Sequence, residues 1–85
     1  METRIAVISI LVEEADVVET LNGLLHAYSQ WIIGRMGIPY RAKKINVMSV
    51  AVDAPQDVTA ALTGKIGALP GIRVKTAYSQ FESDE

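Results

Sequence analysis

Two segments of the chain are apolar on both faces of the strands that they predict. The first segment reads RIAVISILV at residues 4–12, and the second reads INVMSVAV at residues 45–52. A strand with one solvated face alternates apolar and polar residues, whereas a strand that is covered on both faces is almost continuously apolar. We therefore expect both segments to lie in the middle of a sheet, with both faces covered.

Two other segments have the residue spacing of amphipathic helices. The first follows the acidic residues 13–16 and carries an apolar stripe at Val17, Leu21, Leu24, Leu25 and Tyr28. We expect Asp53 to cap the second helix, with Gln56 completing a capping box. The buried stripe of this helix is predicted at Val58, Ala61, Leu62 and Ile66, and Gly67 is expected to end the helix.

Two further strands complete the pattern. Residues 31–36 predict a short strand, and the glycine, the proline and the basic residues after it predict a loop. The sequence Leu-Pro-Gly at residues 69–71 fits a type II turn, which needs glycine at its third position. The residues that follow alternate as in a strand with one solvated face, with Ile72, Val74, Thr76 and Tyr78 on one side and Arg73 and Lys75 on the other.

The predicted order of elements is β-α-β-β-α-β in one domain over residues 1–79, followed by a disordered acidic tail over residues 80–85. With right-handed crossovers this order gives the ferredoxin-like sandwich of the α+β class, a four-stranded antiparallel sheet with both helices on one face. We expect each crossover to join parallel neighbours, which places the first and third strands in the middle. Their free face would carry Val7, Ser9, Leu11, Val47, Ser49 and Ala51.

A second copy of the chain is the simplest cover for this free face. The chain has 85 residues, of which 49% are apolar and 6% aromatic, and so short a domain buries only about 60–65% of its unfolded surface. We therefore expect a homodimer or a homotetramer in which these six residues form the interface. The alternative is a monomer with an unusually apolar surface.

Composition narrows the classes of function. The net charge is −2, so we expect no direct binding to nucleic acid or to an anionic membrane. The absence of cysteine excludes disulfides, thiol nucleophiles and cysteine metal sites. Neither a signal peptide nor a membrane-spanning run is present, which predicts a cytoplasmic protein, and no cofactor is expected.

Basic residues cluster after the second strand. Four of the eight basic residues lie between positions 35 and 44, next to two glycines and Tyr40. Such a cluster could hold a phosphate or a carboxylate, or it could be a solvated hairpin. Lys65 lies in the sequence Thr-Gly-Lys-Ile-Gly, which we interpret as a helix end with Gly64 at a close packing contact, or else as backbone that lines a pocket. The candidate ligand contacts are Arg35, Tyr40, Arg41 and Lys65.

Candidates for catalysis are weak. His26 is the only histidine, and it could be a metal ligand or a base, or a cation that suits the last turn of the first helix. Asp53 and Asp57 fit capping roles. Ser9, Ser49 and Thr63 have no adjacent pair of histidine and acid that would mark a nucleophile. We therefore predict no catalytic residue and no metal site.

Three segments resemble the iron-only hydrogenase system regulator family. They are IIGRMGIPYR at 32–41, DAPQDV at 53–58 and ALTGKIGALPG at 61–71, within a similarity over residues 2–79. The resemblance implies an ACT-like domain, similar in fold to the effector domain of the nickel-responsive repressor, that forms oligomers and regulates in bacteria. The turn at residues 12–16 has no glycine, unlike the turn that binds amino acids in many ACT domains.

The leading hypothesis is a homo-oligomeric sensor that binds a small effector or a partner protein at a subunit interface, with a regulatory role in an iron-only hydrogenase system. Two alternatives stay open. The same sandwich hosts small enzymes, and a pocket that joins His26 to a carboxylate would favour an enzyme. A protein that no metal, amino acid or nucleotide stabilises would favour a purely structural adaptor.

Overall fold

The computed structural model describes residues 2–80. They form four strands, β1 (Arg4–Val12), β2 (Ile32–Tyr40), β3 (Ile45–Ala54) and β4 (Ile72–Tyr78), and two helices, α1 (Val18–Ala27) and α2 (Gln56–Gly67). Short 3-10 turns at Ala15–Val17 and Ser29–Trp31 flank α1. This order confirms the predicted sequence of elements. The predicted tail lies outside the described residues except for Gln80. Neither helix of the described chain has the length and apolarity to span a membrane.

The four strands form one antiparallel sheet in the order β2-β3-β1-β4. The predicted central positions of β1 and β3 are therefore confirmed. The expectation that each crossover joins neighbouring strands is wrong. The strands that a crossover joins are parallel, but one strand lies between them, because β3 inserts between β1 and β2 and β1 inserts between β3 and β4.

The core lies between the helices and one face of the sheet. In β1 and β3 the even-numbered residues other than Arg4 and Asn46 are buried, and Ile8 is paired with Val50 at the centre. Leu21 and Leu25 of α1 pack on this face with two residues of α2. Each such aliphatic side chain contributes about 1.5–3 kcal/mol on full burial, so the predicted stripes account for most of the driving force.

Strand β2 is longer than the sequence predicts. Instead of ending at residue 36, it continues to Tyr40, and Gly37 and Pro39 pair with Met48 and Asn46 of β3. Because β2 is an edge strand, a proline without an N–H group is tolerated there. The predicted loop is thus a strand, and only the residues between Tyr40 and Ile45 form a turn.

The start of α2 also differs from the prediction. Asp53 belongs to β3, which continues to Ala54, and the N-cap residue is Pro55. No side chain within residues 2–80 makes the capping hydrogen bond, so the predicted capping box is wrong. Gln56 is the first helical residue, and its Oε1 accepts a hydrogen bond from Arg4 Nη1 at 3.3 Å.

The buried face of α2 is rotated relative to the prediction. Thr59 is buried together with Leu62 and Ile66, whereas Ala61 is exposed. Residues 59, 62 and 66 follow the i, i+3, i+7 spacing of one helix face. The predicted close contact at Gly64 is wrong, since a Cβ atom there would meet nothing within 4 Å. Close packing occurs instead at Gly67, where a Cβ would lie 3.3 Å from Val74 Cγ1.

Two glycine substitutions should have opposite effects on stability. Gly71 has φ +70°, as the predicted type II turn requires, and a Cβ there would lie 2.5 Å from Glu14 Cγ. We expect Gly71→Ala to lower the free energy of unfolding by about 1–3 kcal/mol. Gly64→Ala should raise it by about 0.5–1 kcal/mol, because alanine suits an exposed helical position. Urea denaturation of both variants measures this, and equal shifts in one direction would contradict the account.

Replacement of Thr59 by valine should stabilise the protein. Its Oγ1 is buried and has no hydrogen-bond partner within residues 2–80, and valine has nearly the same shape without the hydroxyl. We expect Thr59→Val to raise the free energy of unfolding by about 1 kcal/mol. Thr63→Val is the matched control, because the Thr63 hydroxyl donates to the carbonyl of Ala60 at 3.1 Å. Calorimetry should show a higher Tm for Thr59→Val alone.

Candidate functional site

The predicted basic cluster is divided between a strand and a turn. Arg35 lies on β2, paired with Val50, while Arg41, Lys43 and Lys44 lie in the turn between β2 and β3. Lys44 has φ 58°, the one positive φ of a non-glycine residue in the described chain. The turn thus presents three exposed cations at the end of the sheet where α1 begins.

A cavity of about 310 Å³ lies beside this turn. Tyr40 and Arg41 line it, as do Lys44 and Ile45, and its remaining wall is formed by Ala15, Pro39 and Asn46. The wall is mostly apolar, and two of its residues, Arg41 and Lys44, carry a cationic group. Tyr40 and Arg41, two of the predicted ligand contacts, are therefore brought together.

Arg35 lines a second, smaller cavity of about 190 Å³ between β2 and α1. Its Nη2 donates a hydrogen bond to Asn22 Oδ1 of α1 at 2.9 Å. Pro39 and Asn46 line both cavities, so the two adjoin, and we call the pair the β2 groove. Three of the four predicted ligand contacts border this groove.

Lys65 stands apart from these residues. It lies in the last turn of α2 and donates a hydrogen bond from Nζ to the hydroxyl of Tyr28 at 2.9 Å, with Nζ 5.2 Å from the ring centroid. Among the described residues, Lys65 lines neither of the two cavities. That all four residues contact one ligand stays a prediction, and the geometry unites only Arg35, Tyr40 and Arg41.

The predicted interface residues share the face of the sheet opposite the helices, which we call the open face. The register of β1 and β3 pairs Val7 with Ala51, Ser9 with Ser49 and Leu11 with Val47. In the single described copy, Val7 and Val47 are each 38% exposed and Leu11 is 40% exposed. Strand β2 adds the exposed Met36, Ile38 and Tyr40. That this face is an interface stays a prediction.

The candidate catalytic and metal residues are dispersed. His26 is exposed in the last turn of α1. Asp53 lies at the end of β3, and its Oδ1 is buried without a hydrogen-bond partner among residues 2–80. Within that range no three histidine, cysteine or acidic side chains lie close enough together to hold a metal ion.

Sequence reasoning missed five of the seven residues that line the larger cavity, including Lys44, Asn46 and Ala15. Lys44 was counted in the basic cluster but not as a ligand contact, and its left-handed backbone leaves no sequence signal. Asn46 lies on the helix side of β3, where its polarity among apolar neighbours is a signal. Ala15 approaches from a distant part of the chain, so only the tertiary structure reveals it.

Comparison with known proteins identifies a family. The family model described as "TM1266-like: Iron-only hydrogenase system regulator, putative" matches residues 4–76. The solved structure of uncharacterized protein TM1266 from Thermotoga maritima is similar to this chain with a TM-score of 0.86 and 31% sequence identity. The match covers 89% of this chain and 96% of that one. None of the curated proteins matches the chain.

Two more distant structures share the fold alone. A formyltetrahydrofolate deformylase from Pseudomonas putida KT2440 matches with a TM-score of 0.61 and 11% identity, over 86% of this chain and 28% of that one. An unknown protein from Galdieria sulphuraria matches with a TM-score of 0.62 and 20% identity, over 95% of this chain and 48% of that one. This chain therefore corresponds to less than half of each.

Proposed function

This chain belongs to the TM1266-like family of iron-only hydrogenase system regulators, and we propose that it acts as a homo-oligomeric, ACT-like regulatory module in such a system. The proposal has two parts. Copies of the chain associate through the open face, and a small effector or a partner protein binds near that interface and shifts the assembly. The family description supports a regulatory role rather than a catalytic one.

The exposed apolar surface of the open face is the observation that carries the proposal. Four strands of 7 to 10 residues give a face of roughly 30 by 19 Å. This projected area, about 570 Å², is near the low end of the roughly 600–1,000 Å² per partner that stable interfaces bury. A patch at the upper end of the roughly 300–600 Å² found on typical monomers is often a functional surface, and a second copy is the occupant that we propose.

The composition of the open face also suits self-association. Ser9 and Ser49 are paired at its centre between larger aliphatic residues, and such small side chains allow a second sheet to approach closely. Arg73 and Lys75 lie along the β4 side, because they pair with Leu11 and Ser9. An apolar centre with a charged margin is the usual anatomy of a protein interface.

The edge of β2 is a weaker surface for association than the open face. Pairing through an edge would require an unbroken row of backbone donors and acceptors along Ile32–Tyr40. Pro39 lacks an N–H group, and the register shifts between Ile32 and Gly34. Both features are devices that blunt sheet edges in natural proteins, which favours stacking of faces over extension of the sheet.

A shared boundary could couple ligand binding to assembly. Tyr40 and Ile45 are paired across β2 and β3 on the open face, and both line the larger cavity. A ligand that orders these two side chains would change the surface offered to the second copy. By thermodynamic linkage, assembly would then change the affinity for the ligand by the same factor.

A single lysine on the open face should weaken self-association. Val47→Lys places a charge where a second sheet would pack, and we expect the dissociation constant of the oligomer to rise more than about tenfold, equivalent to about 1.4 kcal/mol. Ala61→Lys is the matched control, because it adds the same charge on the exposed side of α2. Sedimentation equilibrium over a concentration series measures both variants.

Two results would contradict the proposed assembly. One is an unaltered chain that sediments as a single copy at tens of micromolar. The other is an oligomer that Val47→Lys and Ala61→Lys disturb equally, since the association surface would then not be the open face. Circular dichroism of each variant verifies that the fold is retained.

A further inference from the structure

We infer that the larger cavity, beside the turn between β2 and β3, binds a small organic anion in which a carboxylate or phosphate is joined to a short apolar body. The inference deepens the proposed function, because it rests on the proposed sensing role and names the class of effector. Its evidence is the lining of the cavity, which shares only Tyr40 and Ile45 with the open face, and the backbone of one lysine.

Two unpaired cations border the mostly apolar cavity and are the groups that would bind the anion. Arg41 and Lys44 both line it, and within residues 2–80 neither side chain has an ion-pair or hydrogen-bond partner. By contrast, Arg35 is bonded to Asn22, and Arg73 is paired with Glu13 at 3.7 Å. A guanidinium fork and an ammonium group together suit the oxygens of a carboxylate or a phosphate.

The rest of the lining suits an apolar body. Pro39, Ile45 and Ala15 contribute aliphatic surface, and Tyr40 contributes its side chain. The volume of about 310 Å³ lies at the small end of the range for ligand pockets, about 300–1,000 Å³. A neutral ligand would leave both cations unused, and inorganic phosphate alone would leave the apolar wall solvated. The cavity therefore favours an anion that carries a small hydrophobic group.

The backbone of Lys44 points to the same cavity. Its φ of 58° lies in the left-handed region, which costs a residue with a side chain energy that glycine would not incur. Strained backbone of this kind concentrates at ligand sites. A turn selected for stability alone would favour glycine or asparagine here, so the lysine is better explained by its side chain at the cavity.

Titration of the intact protein with three probes of similar size tests the inference. Benzoate and phenyl phosphate carry the two kinds of anion, and benzamide is the neutral counterpart. In two-dimensional NMR we expect at least one anion to give saturable shifts at the amides of residues 39–46 and to bind at least tenfold more tightly than benzamide. The stronger of the two anions identifies the headgroup.

Substitutions in the turn test which cations bind the anion, and Lys43 supplies the matched control. Arg41→Gln and Lys44→Gln should each weaken binding of the stronger anion at least fivefold, while Lys43→Gln should change it less than twofold, because Lys43 lies in the same turn but outside the cavity lining. Lys44→Gly should also lose anion binding. It should nevertheless raise the urea midpoint of unfolding, because glycine adopts the positive φ of this position without strain. A loss of binding together with a gain of stability would not follow from a purely structural role.

Three outcomes would overturn the inference. The first is the absence of a saturable shift with either anion at 10 millimolar (roughly the weakest affinity that a specific small-ligand site would show). The second is a benzamide affinity equal to that of the anions. The third is an equal loss of anion affinity in Lys43→Gln and Lys44→Gln. Repeating the titration with Val47→Lys separates this inference from the proposed assembly. If the dissociated Val47→Lys protein still binds the anion, the cavity binds it without the proposed assembly. If the unaltered chain forms oligomers that bind neither anion, the inference is wrong and the proposed assembly stands.

Discussion

Two helices can cover only one face of a four-stranded sheet, and this geometric limit governs the rest of the protein. The even-numbered residues of β1 and β3 other than Arg4 and Asn46 are buried under α1 and α2, with Ile8 and Val50 at the centre. The opposite face also carries a row of aliphatic residues, and residues 2–80 provide no third layer to cover it. This exposed hydrophobic surface is the reason that the proposed function includes self-association.

The turn between β2 and β3 adds a second property to the same scaffold. The β2 groove lies beside this turn, and Arg35, Arg41 and Lys44 are among its lining residues. Tyr40 and Ile45 belong both to this groove and to the open face. Because the two surfaces share side chains, occupation of one can alter the other without a long-range conformational change.

The differences between sequence and structure have identifiable causes. A glycine, a proline and the basic residues after it indicated a loop after residue 36, but pairing with β3 outweighed that local preference because an edge strand tolerates Pro39. Asp53 resembled a helix cap, yet the ladder with β1 continues to Ala54 and keeps it in β3. The stripe of α2 shifted to Thr59 because the helix begins at Gln56 and its phase is set by packing on the sheet.

The sequence by itself determined the order of the elements, the two central strands and the six residues that share the open face, because apolar periodicity is a local property that burial enforces directly. Only the tertiary structure decided which basic residues lie together. Arg41 and Lys44 meet Ala15 across a wide separation in sequence, whereas Lys65 is drawn away to Tyr28. Such juxtapositions depend on strand register and helix placement, which no short segment of the chain encodes.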